Sequence, residues 1–216
     1  MESLVFFAEV APLKDKNLIE RLSNRISPER LKKANSFKSE KDRLLSFGGG
    51  ILIDYALEQF GVEDREIYSD GHGKLKLKNG GAEFNMSHSK NAVAVIVSNS
   101  VVGIDIEKER EVNLKVANRY FCKNEIDYIN NSPDKDKAFL RLWVRKESLL
   151  KALGTGIKKG LSSVSVIENN LQFSGVNGKK YYFNDVNCKD YLISCCKEES
   201  NSFSKIIEVD FNELIK

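Results

Sequence analysis

Apolar and polar positions change period several times along this chain. Leu4–Leu13 opens with a nearly continuous apolar run and predicts a first strand. Asn17–Leu22 and Pro28–Phe37 predict short helices, the second introduced by Ser27-Pro28-Glu29, a capping serine followed by proline at the first helical position. Ser39–Phe60 keeps helical character across Gly48-Gly49-Gly50. Each interior glycine costs about 1 kcal/mol relative to alanine, so close packing against another backbone is expected there. The run lacks the GxxxxGK[ST] spacing of a phosphate-binding loop. Five strand-like runs follow: Glu66–Ser69, Lys74–Leu77, Ala82–Met86, Ala92–Ser98 and Val101–Lys108. The last two meet at Asn99-Ser100 and predict a hairpin. Leu114–Val116 begins a helical stretch that Asn130-Asn131-Ser132-Pro133-Asp134 breaks. Ala138–Leu153 predicts an amphipathic helix with Phe139, Leu142, Trp143, Leu149, Leu150 and Leu153 as apolar positions, stopped by Gly154-Thr155-Gly156. Ser163–Ile167, Leu171–Phe173, Lys180–Phe183, Tyr191–Cys196 and Lys205–Phe211 predict a tail of strands.

This order predicts an α+β fold of two halves, residues 1–103 and 104–216, each a largely antiparallel sheet with packed helices. The 216 residues are enough for both halves to bury a core. Composition changes the picture little: 41% hydrophobic, 30% charged, net charge +3 with both signs interspersed. No basic stripe points to nucleic acid. No apolar run approaches the roughly 18 residues of a spanning helix, and the N-terminus has no basic leader, so no membrane role is expected. Cys122, Cys188, Cys195 and Cys196 form no CxxC pair, and with two histidines a zinc site is not expected. Reduced cysteines in a cytoplasmic protein are expected instead.

The candidate chemistry lies in three segments. In Val101–Glu107 the alternation of a strand puts Asp105 and Glu107 on one face and Ile104 and Ile106 on the other. Two such acids suit a solvated edge, or a hard cation such as Mg2+ held between them. Asn85-Met86-Ser87-His88-Ser89 ends a strand and offers several donors in a bend, suited to phosphate oxygens or simply a polar turn. In Trp143–Lys151, Glu147 and Lys151 are four residues apart and share a helix face. They form either an exposed salt bridge or a carboxylate and an ammonium available for chemistry.

Taken in order, Asn85-Met86-Ser87-His88-Ser89, Gly103-Ile104-Asp105-Ile106-Glu107 and Trp143 through Gly156 resemble the three fingerprints of the 4′-phosphopantetheinyl transferases, Sfp-like class. Ser27-Pro28-Glu29, Lys32-Lys33, Arg43 and Gly73-Lys74 resemble weaker family features, with Leu75 where a proline often follows the lysine. The match runs over roughly residues 27 to 156. The resemblance implies two pseudo-symmetric halves with coenzyme A in the cleft between them. It implies Mg2+-dependent transfer of 4′-phosphopantetheine from coenzyme A to a serine of an acyl or peptidyl carrier protein, releasing adenosine 3′,5′-bisphosphate. Fatty acid, polyketide and nonribosomal peptide carriers all fit. Asp105, Glu107 and Glu147 are then the metal ligands, Glu147 the general base, and Lys151 the partner of the pyrophosphate. Lys33, Arg43 and His88 would bind the 3′-phosphate, and Ser87 and Lys74 would line the nucleotide or pyrophosphate site. A monomer is expected, since two halves can form one cleft. A non-catalytic coenzyme A or nucleotide-binding module is the alternative; it would not need three converging acids.

Overall fold

The computed structural model describes residues 3–71, 73–154, 162, 164–172, 178–198 and 203–215. The chain forms two compact units, Met1–Asn99 with Phe203–Lys216, and Ser100–Ser202.

In the first unit, strand β1 (Ser3–Glu9) is followed by helices α1 (Lys16–Leu22), α2 (Pro28–Ser36) and α3 (Glu40–Gln59). Each helix starts where a short polar side chain relieves a free backbone amide. Asp15 accepts from Asn17 N, Ser27 from Arg30 N, and Ser39 from Asp42 N. Strands β2 (Ile67–Ser69) and β3 (Leu75–Leu77) form a small antiparallel pair. Strands β4 (Glu83–Ser89), β5 (Ala92–Ser98) and the late β10 (Phe203–Glu208) join β1 in the order β10-β1-β5-β4. The β1–β10 pair is parallel and the other two are antiparallel. One sheet face carries Phe6, Ala8, Phe84, Val93, Val95 and Val97, which share a core with Leu44, Ile51, Leu52 and Leu57 of α3.

In the second unit, β6 (Val102–Lys108) leads to three helices: α4 (Ala117–Tyr120), α5 (Lys123–Asn131) and α6 (Lys135–Leu153). Asp134 caps α6 through Lys137 N, and Gly154 ends it with φ 68°, a left-handed conformation glycine adopts at little cost. Strands β7 (Asn170–Gln172), β8 (Lys180–Cys188) and β9 (Tyr191–Glu198) complete an antiparallel sheet in the order β6-β9-β8-β7. Its core joins Phe139, Leu142, Val144 and Leu149 of α6 to Phe183, Leu192 and Cys196 of the sheet. The mixed α+β class read from the sequence is the one observed, with six α-helices and mostly antiparallel strands among the described residues.

Several local expectations change. Ala92–Ser98 and Val101–Lys108 do not form a hairpin: β5 pairs with β1 and β4, and β6 pairs with β9, so Asn99-Ser100 is a crossing between units. The division falls there and not at 103/104, which lies inside β6. The last strand, counted with the second half in the sequence reading, pairs with β1 in the first unit. Asn85–Ser89 is not a bend but strand, in unbroken register with β5 from Glu83↔Ser98 to Ser89↔Ala92. Residues 164–167 form no strand.

The three glycines of α3 meet side chains, not a second backbone. A Cβ on Gly48 would press on Val10, Leu13 and Phe211, on Gly49 against Met86 Sδ, and on Gly50 against Ile26 and Arg30. Gly103 in β6 is the position of true backbone approach: its Cβ would stand 2.0 Å from Ser148 O and 2.5 Å from Ala152 N of α6.

Candidate functional site

That close approach positions the acids. Gly103, Asp105 and Glu107 share the face of β6 that lies under α6. With α6 seated on the backbone at Gly103, the short side chain of Asp105 two residues on reaches the helix. Asp105 Oδ1 accepts from Lys151 Nζ at 2.7 Å. Glu147 lies one turn earlier on α6, half-buried, and its Oε1 has no hydrogen-bond partner. Burial pushes the Glu147 carboxyl above the usual range. The charge of Asp105 adds to that rise, Lys151 opposes it, and Glu107 adds a further push. The i,i+4 spacing therefore does bring Glu147 and Lys151 to one site, but the ammonium is ion-paired with Asp105 from another element. Glu107 is half-buried and lies 3.6 Å from Arg110 Nη2.

This donor set suits a hard divalent cation. Its oxygens are carboxylate, they repel one another, and one buried oxygen lacks a partner. As they stand, no three acid, histidine or cysteine side chains among the described residues are gathered closely enough to hold a metal ion.

Beside this cluster, α6 sends two buried cations the other way. Arg145, 1% exposed, binds Asp185 through Nε (3.0 and 2.8 Å) and Nη2 (2.7 Å). Its Nη1 donates to the carbonyls of Val166, Ile167 and Glu168, and its Nη2 to Asn169 Oδ1. Asp185 also accepts from Arg141 Nε and Ser194 Oγ. Lys146 pairs with the buried Glu125 at 2.8 Å and donates to Val164 O. Glu125 in turn accepts from Val166 N and Cys122 N. Residues 164–169 are thus fixed to α5 and α6 largely by charged side chains, and Asn169 O also accepts from Phe183 N of β8. Sequence reasoning missed this set, because Arg and Lys in an amphipathic helix read as solvent-facing; their only signal was a basic pair between apolar positions 144 and 149.

The first unit holds the residues predicted for coenzyme A. Ser87 is buried and His88 exposed, on opposite faces of β4. Lys74 is half-buried, and burial lowers its pKa. Arg43 is half-buried on the first turn of α3 and Lys33 exposed near the end of α2. Lys33 lines a cavity of about 750 Å³ with Arg30, Ile26, Gly50, Ile67 and Leu75. Arg43, Lys74, Ser87 and His88 do not line it. Arg30 is the residue here that the sequence reading passed over. Its Nη2 donates to Ser46 O, its buried Nε has no partner, and burial lowers its pKa. Among the described residues no carboxylate pairs with this guanidinium, which stands three residues before Lys33 on one helix face; Glu29, Asp54 and Glu66 also line the cavity.

Comparison with known proteins agrees with the motifs. The family model described as the 4′-phosphopantetheinyl transferase superfamily matches residues 101–196, which contain Asp105, Glu107, Glu147 and Lys151. The chain is 33% identical to 4′-phosphopantetheinyl transferase psf-1 of Bacillus pumilus, over 74% of this chain and 72% of that protein. It is 32% identical to 4′-phosphopantetheinyl transferase Sfp of Bacillus subtilis, over 68% of each.

Proposed function

The chain belongs to the 4′-phosphopantetheinyl transferase superfamily, and we propose that it moves the phosphopantetheine arm of coenzyme A to a serine hydroxyl of an acyl or peptidyl carrier protein in an Mg2+-dependent reaction. The observation that carries this reading is Glu147: a buried, unpartnered carboxylate oxygen facing Asp105 and Glu107, with the ammonium of Lys151 beside them.

Asp105, Glu107 and Glu147 would hold the Mg2+, which supplies positive charge to the pyrophosphate when bound. Glu147, its pKa raised by burial and neighbouring acids, takes the proton of the carrier serine. The serine oxygen bonds to the phosphorus that bears the pantetheine arm. The bond from that phosphorus to the bridging oxygen breaks, and adenosine 3′,5′-bisphosphate leaves with the electron pair. Lys151 neutralises the charge left on it. Such transfers depend mainly on positioning and charge neutralisation. Lys33, Arg43 and His88 are assigned to the 3′-phosphate, with Arg30 joining Lys33, and Ser87 and Lys74 to the rest of the nucleotide. A cytoplasmic monomer is the proposed form; the four cysteines are free thiols, which suits a reducing compartment.

The test is mass spectrometry of apo-carrier proteins incubated with the protein, coenzyme A and Mg2+. One phosphopantetheine addition per carrier is expected. Asp105→Ala and Glu147→Gln are expected to slow it about 100-fold or more while coenzyme A still binds. Folded variants that retain near-normal turnover would remove the site assignment. Titration checks the 3′-phosphate: dephospho-coenzyme A should bind about ten-fold more weakly than coenzyme A. His88→Ala and Arg43→Ala should weaken coenzyme A alone. If each weakened both ligands equally, that assignment would be wrong.

A further inference from the structure

Asp105 is one of the three carboxylates assigned to the metal in this reading, yet in the structure the ammonium of Lys151 is paired with it. Lys151 Nζ lies 2.7 Å from Asp105 Oδ1, with the aspartate side chain 9% exposed and that of the lysine 28%. A carboxylate held that deep, near Glu147 and Glu107, is costly without a positive partner. Lys151 supplies one. A divalent ion bound to the same carboxylate would stand about 2.1 Å from its oxygen. An ammonium that stayed in place would then lie within about 5 Å of the ion, and the two charges repel, screened only in part by water at the lysine. Moving the ammonium off Asp105 relieves that repulsion. Lysine can move, because its ammonium rides on a flexible four-carbon stem from a partly exposed position.

From this we infer that Lys151 is a built-in competitor of the metal: its ammonium neutralises Asp105 in the metal-free protein and is displaced when the divalent cation binds, which frees it for an anion beside the ion. The inference rests on the reading of Asp105 as a metal ligand. It makes metal and anion binding cooperative. Without an anion, Lys151 opposes the metal. With one, the displaced ammonium has a new partner, and by linkage each ligand strengthens the other.

Mn2+ alone, titrated into metal-stripped protein and followed by the electron paramagnetic resonance of the free ion, tests this. Lys151→Met should bind Mn2+ about ten-fold more tightly than wild type. Lys151→Arg, which keeps the charge, should stay within about two-fold of wild type. Asp105→Asn should remove the site, and in the double variant with Lys151→Met no gain should appear. Equal or weaker binding by Lys151→Met, with an Asp105-dependent site intact in wild type, overturns the competition and leaves the metal reading standing. Absence of any Asp105-dependent site in wild type and Lys151→Met alike overturns both. A second measurement needs only the native sequence. After reductive 13C-methylation of lysines, the Lys151 signal, assigned by its loss in Lys151→Arg, should move as Mg2+ saturates the protein. A signal that does not move overturns the displacement even if Lys151→Met fails to fold.

Discussion

Among the described residues, the polar side chains buried in the first unit are Ser3, Ser87, Ser89 and Ser98. Those buried in the second include six charged ones: Asp105, Glu125, Arg145, Lys146, Lys197 and Glu198. The plan is otherwise shared, a four-stranded sheet under a helix of about five turns. α3 meets its sheet through aliphatic side chains and three glycines that make room for neighbours. α6 meets its sheet through an apolar core as well, but adds a backbone contact at Gly103 and ion pairs from Arg141 and Arg145 to Asp185 and from Lys151 to Asp105. Buried ion pairs rarely add stability over apolar packing. Among the described residues they occur in the second unit only. Arg145 and Lys146 are matched to acids and backbone carbonyls, whereas Glu147 next to them faces other carboxylates. Arg145 and Lys146 mark structure, and Glu147, with the Asp105–Lys151 pair beside it, marks the site.

The glycines give the sharpest way to break this comparison. At Gly103 an added Cβ meets backbone, 2.0 Å from Ser148 O, and neither element can yield without separating strand from helix. Gly103→Ala is expected to cost at least about 4 kcal/mol, in the range reserved for gross misfit. At Gly49 the obstacle is Met86 Sδ, the thioether of a flexible side chain. Alanine also recovers about 1 kcal/mol of helix propensity there. Gly49→Ala should stay within about 1 kcal/mol of wild type. Chemical denaturation of both variants measures the difference. Equal losses would mean that the two helices are seated alike.

A second contrast uses matched carboxylates. Asp54 lies between Arg25 (3.0 Å) and Arg65 (2.8 Å) in the first unit, as Asp185 lies between Arg141 and Arg145 in the second. The side chains of Arg25 and Arg65 are 21% and 30% exposed, whereas that of Arg145 is 1% exposed. Asp185→Ala strands a buried guanidinium and should cost about 3 kcal/mol. Asp54→Ala leaves its partly exposed arginines beside Glu58 and should cost about 1 kcal/mol or less. Similar costs would show that the Arg145 network is no more buried in solution than its surface counterpart.

Much of this difference was legible in the sequence where it follows a period. Alternation put Asp105 and Glu107 on one face, and the four-residue spacing brought Glu147 and Lys151 together. What escaped depends on contacts distant in sequence. The partner of Lys151 comes from a strand 46 residues earlier, and no helical spacing encodes it. The pairing of β10 with β1 spans nearly the whole chain. The polar run Asn85–Ser89 has weak strand propensity and becomes strand because β5 offers it a continuous ladder. Asn99-Ser100 has the length of a hairpin turn, and only the choice of partners by β5 and β6 makes it a crossing between units.

The smallest effect concerns the unmatched carboxylate itself. Burial first, then Asp105 and Glu107, hold the Glu147 pKa above the usual carboxylate range, against the pull of Lys151. The folded protein therefore prefers a neutral Glu147 more than the unfolded chain does. Stability linked to that preference is fully present below the unfolded carboxylate pKa and is lost as pH rises through the higher folded value. At pH 8 in chelator, the ionised side chain should weaken the fold, and Glu147→Gln should melt higher than wild type. Because Glu147 is partly exposed, solvent screens the effect, and a rise of about 2 °C is expected. The gap should close as the pH falls toward 4. Thermal melts of the two proteins across that range decide the matter. A Glu147→Gln variant that melts lower at pH 8 would mean that donors in solution hold the carboxylate as firmly as Glu125 and Asp185 are held, and the distinction between matched and unmatched charges under α6 would fail.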